Sequence, residues 1–519
     1  MLVVCALTTL HGISKAAKGT ELYRVSRNTW RMGLLPPAFL IAASFALIFQ
    51  LVACGSIEGD RDVIRRGHLS FEKLVRVHPE LISVANIFDE TSLGPQVPDE
   101  RLQQLALFAK VFGLAQREYV EILLPERLIT GALNGIKTVQ ITELQPDVNY
   151  LRNMMTVVLQ HMISDLDAHS DYLTPADYEQ IQVRTRGEFG GIGLEMTMEH
   201  GLVKCITSIE DTPAQRAGIR PGDLISHING EPVLGMTLIQ AVKKMRGSAG
   251  SAIVVTVRRG MSSEAFDVRL VREIIRIKPV SARAEGDIGY IRIVTFNERT
   301  YRSMNRAIAG LSRELGGRMN GLVIDLRDNP GGLLDQALKV SDAFLVEGEI
   351  VSTVGRHRDR VRRFRADPED LASGIPIAVL INGGSASASE IVSGALKDHG
   401  RVVVFGQRSF GKGSVQTVIP LGQGQGALRL TTARYYTPSG QSIQVHGIEP
   451  DIISVEADPA QREKNLRNPL SAEGQVRKGN GALMEEVCPD VSGGEDPILL
   501  CALHMLRSGL LSVEIQTLN

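Results

Sequence analysis

Through the first third of the chain, apolar residues recur at three- and four-residue spacing, as in LQQLALFAKVFGLA and LRNMMTVVLQHMISDL. That is the period of a helix with one buried stripe, so residues 59–187 are expected to be mostly helical. From Gly187 the period changes. Short β-branched runs (GLVKCITSI, DLISHING, AIVVTVRRG) alternate with Gly, Pro and Asn turns, which predicts a small β-domain over 188–272. From 273 to 456 strands and helices take turns. IGYIRIVTF, GLVIDLRDN, PIAVLIN and RVVVFG read as strands, while YRSMNRAIAGLSREL, GLLDQALKVSDAFL and SASEIVSGALKDHG read as helices. This is the order of a buried sheet with helices on its faces, and it makes the whole chain multidomain α+β. Residues 457–485 are polar and Gly-rich and read as a linker or disordered loop. The apolar tail within 486–519 reads as a docked helix.

Residues 33–53 carry no charge, follow Arg24, Arg27 and Arg31, and precede the acidic Glu58 and Asp60. Basic flank, apolar run and small residues form an export signal over 1–53. The run ends LVACG, which resembles a bacterial lipobox with Cys54 as the acylated residue. An uncleaved anchor is the competing reading, because the stretch is just long enough to span a bilayer. Both put the folded part outside the cytoplasm, in a bacterial periplasm or cell envelope, attached to the membrane by lipid or anchor. That compartment permits a Cys488–Cys501 disulfide around a short Gly-rich loop, while Cys205, in an apolar run, is expected to pack as a small hydrophobe.

Composition narrows the function classes. The 519 residues are 43% hydrophobic and 22% charged, so global disorder is excluded. With 57 basic and 58 acidic residues there is no overall field to draw in nucleic acid. The basic run at 356–363 has acidic neighbours and no aromatic platform, and reads as a solvated hairpin face. Five cysteines without a CxxC pair exclude a disulfide scaffold and a zinc-like ligand pattern.

In the middle segment, EFGGIGLEM, PAQRAGIRPGDLISHINGEPV and a helix TLIQAVKKMRG occur in that order and together resemble a PDZ domain. The resemblance implies capture of a peptide C-terminus by strand addition, with Gly190, Gly191, Ile192 and Gly193 forming a nest of N–H groups for the carboxylate. His227 reads as packed within this β-domain.

Two segments carry candidate chemistry. After the strand PIAVLIN, the turn GGSASASE leads into a helix, where a serine stands at free N–H groups and a helix dipole able to hold an oxyanion. Ser385, Ser387 and Ser389 compete, and any of them also suits a helix cap. Downstream, FGKGSVQ sets Lys412 between glycines, with Gln416 on its face if a strand follows. A lysine held in such a site can lose its charge and act as a base.

GSASASEI, FGKGSVQ and DLRDNPGG, together with LDAHSDYL and GIEPD, resemble the carboxy-terminal processing (tail-specific) peptidases, serine–lysine proteases that carry a PDZ domain. The likeness runs over about 160–456 and implies a protease core of the ClpP/crotonase-like kind. It places the nucleophile at Ser387, the base at Lys412 and its orienting glutamine at Gln416. It places the oxyanion donors at the N–H of Ala388 and of Gly331 or Gly332, with Gly331 favoured. It further implies endoproteolysis of proteins with apolar C-terminal tails, no cofactor and no metal. An adaptor lipoprotein and a homo-oligomer are implied as partners. Arg246 resembles an arginine that couples the PDZ domain to the protease. The chain departs from the family pattern at 139–161, which read as an insertion of about a helix and a half.

Three decoys stand nearby. Asp167, His169 and Ser170 are too close in sequence to converge as a triad. His399 sits at a helix C-terminus, a common capping place, and His446 is the runner-up base. The alternative from another class is a non-catalytic PDZ scaffold whose peptidase-like domain only binds peptides.

Overall fold

The computed structural model describes residues 67–511, apart from 90–97, 140–147, 261–263, 358–360, 456–461, 473–480, 490–494 and positions 369, 373 and 423. The leader with Cys54 lies outside the described residues, as do the middle of the basic run at 356–363 and part of the expected linker.

The helical region comprises α1 (Gly67–Val77), α2 (Ile82–Asp89), α3 (Pro98–Glu118), α4 (Pro125–Thr138), α5 (Val148–Ser164) and α6 (Pro175–Arg186). The segment expected as an insertion contributes most of α5, a core helix with Leu151, Met154, Met155, Val158, Leu159, Met162 and Ile163 buried. It crosses α4 with the backbones in contact. A Cβ at Gly131 would lie 2.9 Å from Met162 Cα, and one at Gly135 2.8 Å from Val158 Cα, so only glycine fits either position. This core is completed by Leu421, Leu428, Leu430 and Leu470 from far along the chain. A short strand, β1 (Asp171–Leu173), also leaves the helical region to pair Asp171 with Arg429. The helices therefore hold the wall behind the candidate lysine.

The middle domain contains β2 (Glu188–Gly191), β3 (Leu194–Glu199), β4 (Leu202–Ser208), β5 (Leu224–Ile228), β6 (Glu231–Pro232), helix α7 (Leu238–Met245), β7 (Ala252–Arg258), β8 (Phe266–Val271) and β9 (Glu273–Arg276). Its main sheet runs β3-β4-β5-β7-β8, with β6 on β5, so β3 is an edge strand. Cys205 is buried and free in its core, as its apolar run suggested. The expected nest differs in part. Gly190 and Gly191 lie in β2 and pair with Ile274 and Glu273 of β9, because glycine permits the close approach of residue 247, whose carbonyl would meet a Cβ at Gly190 at 2.0 Å.

The remaining elements are β10 (Val280–Glu285), β11 (Ile288–Ile293), α8 (Thr300–Glu314), β12 (Gly321–Asp325), α9 (Leu334–Asp342), β13 (Glu349–Gly355), β14 (Val361–Arg365), β15 (Ile377–Ile381), α10 (Ala388–Asp398), β16 (Val403–Gly406), β17 (Ser414–Pro420), β18 (Ala427–Tyr436), β19 (Ile452–Ile453), β20 (Ala482–Leu483) and α11 (Pro497–Ser508). Seven strands form one sheet in the order β10-β11-β12-β15-β16-β19-β20. All its pairings are parallel except β10 with β11. Every residue of β12 and β15 is buried, which is why GLVI and IAVLI read as unbroken apolar or small runs, and Asp325 at the end of β12 is buried against Arg327 and Tyr290. Alternate side chains of these strands meet α8, α9 and α10 on one face and α11 on the other.

A second sheet, β1-β18-β13-β14 with β17 on β18, carries the lysine segment. The segment expected as a linker is built into the fold where it is described. Glu463 is fully buried and β20 adds the seventh strand. Polar composition reads alike for a solvated loop and for a strap whose buried charge finds partners, here His169 and Gln444. Cys488 and Cys501 form a disulfide that ties α11 to the chain before it.

Candidate active site

β15 delivers the chain to the turn before α10, and Ser387 is the N-cap of that helix with φ at 56°. A non-glycine residue in the left-handed region is strained, and such strain gathers where the fold must aim one side chain. The neighbouring serines are committed to structure. Ser385 Oγ donates to Leu326 O at 2.8 Å and Ser389 Oγ to Asn329 O at 2.9 Å, and both residues are fully buried. Ser387 alone of the three is half-exposed.

Asn329 organises the opposing glycine turn. Its Nδ2 donates to Ile293 O, its Oδ1 accepts the Gly331 N–H at 2.9 Å, and its carbonyl accepts the Ala386 N–H at 3.0 Å. Gly331 is buried against the serine turn: a Cβ there would meet Ala386 O at 2.7 Å and Ser387 Cβ at 2.9 Å. The N–H groups of Ala388 and of the exposed Gly332 have no hydrogen-bond partner among the described residues. The Gly331 N–H, favoured from the sequence as the oxyanion donor, is taken by Asn329 Oδ1. Gly331 gives the close approach, and Gly332 keeps an uncommitted donor.

Lys412 lies two residues before β17 and is half-buried. Burial is the largest influence on its amine and pulls the pKa below the usual lysine value. Arg429 acts in the same direction, and Glu463, Glu390 and Asp167 oppose it. The lysine amine has no hydrogen bond or ion pair to a described residue, and none joins it to Ser387 Oγ in this form. Gln416 is held elsewhere than expected. Its Nε2 donates to Ser414 Oγ at 2.9 Å and Thr431 Oγ1 at 3.2 Å, and Lys412 lies before β17 begins at Ser414, outside the strand's two-residue alternation.

Behind these residues, Thr431 Oγ1 donates to Asp167 Oδ1, and Ser170 Oγ donates to Asp167 Oδ2 at 2.6 Å. His169 turns away to Glu463, with Nε2 2.8 Å from Oε2. Asp167, His169 and Ser170 therefore buttress the strand beside Lys412 and form no triad. His399 caps α10 and places Nε2 2.7 Å from Glu349 O.

The sequence reading missed Glu390. It is fully buried, and its carboxylate accepts four hydrogen bonds: Ser387 N–H (2.7 Å) and Lys412 N–H (2.9 Å) at Oε2, Gly411 N–H (2.7 Å) and Ser409 Oγ–H (2.6 Å) at Oε1. Burial pushes its pKa up to about 7 against the opposing pull of those four bonds. The visible signal was an acid three residues after a serine at a helix start, the pattern of a capping box.

Arg246, at the end of α7, lies with its guanidinium carbon 4.7 Å from the centre of the Phe189 ring, and Nη1 donates to Gln180 Oε1 of α6 at 2.8 Å. A chain of contacts therefore leads from the groove helix through α6 to β1 and the wall behind Lys412.

Comparison with known proteins bears on this arrangement. Residues 287–454 match peptidase family S41 and residues 206–259 match the PDZ domain. A carboxy-terminal-processing protease of Bartonella bacilliformis is 45% identical over 389 residues, 73% of this chain and 83% of that protein. A probable CtpA-like serine protease of Staphylococcus aureus is 32% identical over 372 residues, 66% of this chain and 74% of that protein. Among solved structures, the photosystem II D1 C-terminal processing protease is 30% identical with a TM-score of 0.41, covering 67% of this chain and 92% of its own.

Proposed function

The chain belongs to the carboxy-terminal-processing proteases of peptidase family S41, which are serine peptidases, and from that premise we propose that Ser387 and Lys412 carry out its acyl transfer. Membership in an enzyme family displaces the scaffold alternative. The observation that carries the residue assignment is the Glu390 carboxylate, which holds the main chains of both residues through one oxygen.

Ser387 Oγ attacks the scissile carbonyl while the neutral Lys412 amine takes its proton. The oxyanion is held by the Ala388 N–H and a donor of the Gly331–Gly332 turn. The protonated lysine then passes its proton to the leaving amine, and water resolves the ester. Burial favours the neutral amine that the first step requires. Gln416 steadies the lysine side of the site through the Ser414 and Thr431 hydroxyls.

Substrate tails add to the free edge of β3 beside α7, within reach of Ile192 and Gly193, and Arg246 relays that occupancy to α6. Closure of the serine and lysine side chains onto each other is the step that such occupancy favours. Export is part of the proposal. It rests on residues 33–54, with Cys54 lipidated or the stretch retained as an anchor, and the Cys488–Cys501 disulfide fits an oxidising compartment. A homo-oligomer and an adaptor lipoprotein complete it, the first open to light scattering on the purified ectodomain.

The test is cleavage of an unfolded protein such as casein. Ser387→Ala and Lys412→Ala proteins, folded by circular dichroism, are expected to show no turnover above background. Wild-type rates in either would refute the assignment.

A further inference from the structure

We propose that the basic cavity beside the lysine loop is a subsite for a carboxylate of the peptide being cut, carried either by an acidic side chain near the scissile bond or by the chain's own C-terminus. The inference rests on the peptidase reading above and adds a substrate preference to it.

The cavity holds about 490 Å³ and is lined by Arg408, Phe410, His446, Arg462 and Lys464 among its seven residues. That volume accommodates one or two side chains. None of the lining residues is acidic. Arg408 pairs with Glu449 at 2.9 Å from outside the cavity lining. Arg462 directs Nη1 to the carbonyls of Arg408 and Ser409, which fixes a positive charge on the wall. Lys464 is exposed and makes no ion pair with a described residue. A concave wall of one charge sign concentrates its field on the space within and raises the local concentration of the opposite sign.

Its place is what ties this field to the reaction. Phe410 is two residues from Lys412, and its N–H donates to Ser385 O at 3.0 Å, two residues from Ser387. The Glu463 N–H donates to Phe410 O at 3.2 Å, so the strap bearing Arg462 and Lys464 is fastened to the same loop. An extended peptide advances about 3.3 Å per residue, so residues within three positions of the scissile bond sweep about 10 Å on either side of it. A carboxylate in that range meets the Lys464 ammonium, with Arg408, already paired to Glu449, and the tethered Arg462 on the wall around it, and an apolar side chain meets only Phe410 and Val445. His446, the runner-up base, is part of this wall.

The experiment compares kcat/KM for internally quenched peptides that differ only by Glu or Gln at each of three positions on either side of the cut. Each is made with a free and an amidated C-terminus. At low salt the wild type is expected to favour one Glu position, or the free terminus, roughly fivefold, the scale of a partly exposed charge pair. The preference should fade as salt is raised. Lys464→Glu, on the exposed strap, should erase it while leaving Gln-containing amidated peptides unchanged. Glu dependence identifies a side-chain carboxylate, and dependence on the free end identifies the terminus. Equal rates for every charged and neutral pair overturn the proposal, as does a Lys464→Glu protein that slows all peptides alike. If no peptide is cut, the peptidase reading fails. Fluorescence anisotropy of the same labelled peptides on Ser387→Ala protein then decides the subsite separately, and equal affinity for Glu and Gln forms overturns it.

Discussion

Ser387 and Lys412 donate their main-chain N–H groups to the same atom, Oε2 of Glu390, at 2.7 and 2.9 Å. One buried carboxylate thus sets the separation of the two main chains that leave the seven-stranded sheet after its neighbouring strands β15 and β16. Glu390→Gln keeps the shape but halves the acceptor oxygens. An N–H left without a partner in a buried site costs about 1–3 kcal/mol. The variant is expected to melt below the wild type and to lose turnover more than tenfold at unchanged KM.

The same group gives stability a pH dependence. The Glu390 pKa rises from its ordinary value of 4.5 to about 7 on folding. Between those values the folded state holds a proton that the unfolded state has released, so this contribution is present at low pH and is lost as pH rises through about 7. The melting temperature of the wild type relative to Glu390→Gln should therefore fall across that window. A constant difference from pH 4.5 to 7 would count against a protonated Glu390.

Lys412 predicts the form of the pH–rate profile. Its pKa lies below the ordinary 10.5, so the rising limb of kcat/KM should have its midpoint below that value. Lys412→Arg preserves charge and much of the length but cannot supply a neutral base near pH 7, and turnover should drop by at least about 10³. A rising limb that survives in this variant would assign the base elsewhere.

Gly331→Ala tests the glycine turn. The residue has φ at 97°, and the added methyl would press on Ala386 O and Ser387 Cβ. Displacing the donor turn should cost about 10²–10³ in kcat, the scale of losing one oxyanion donor. Binding of a labelled tail peptide, proposed above to use the middle domain, should not change.

Arg246→Ala and Gln180→Ala test the relay. Each removes one end of a single 2.8 Å hydrogen bond. Together they should cost no more than either alone in the stimulation of cleavage by a tail peptide. Additive losses would show that the two residues act independently.

What the sequence by itself determined was the set of elements and the identity of the candidate chemistry. The change of hydrophobic period near Gly187 follows from backbone geometry, and the unbroken runs GLVI and IAVLI follow from burial on both faces of a parallel sheet. Tertiary structure decided what depends on partners distant in the chain. Ser385 and Ser389 leave the competition because Leu326 O and Asn329 O claim their hydroxyls. Glu463 changes from linker to buried strap because His169 and Gln444 await it. Glu390 is invisible as a clamp until the loop bearing Lys412 folds over it. Periodicity records which face of an element is dry, whereas a hydrogen bond between residues far apart in sequence leaves no period to read.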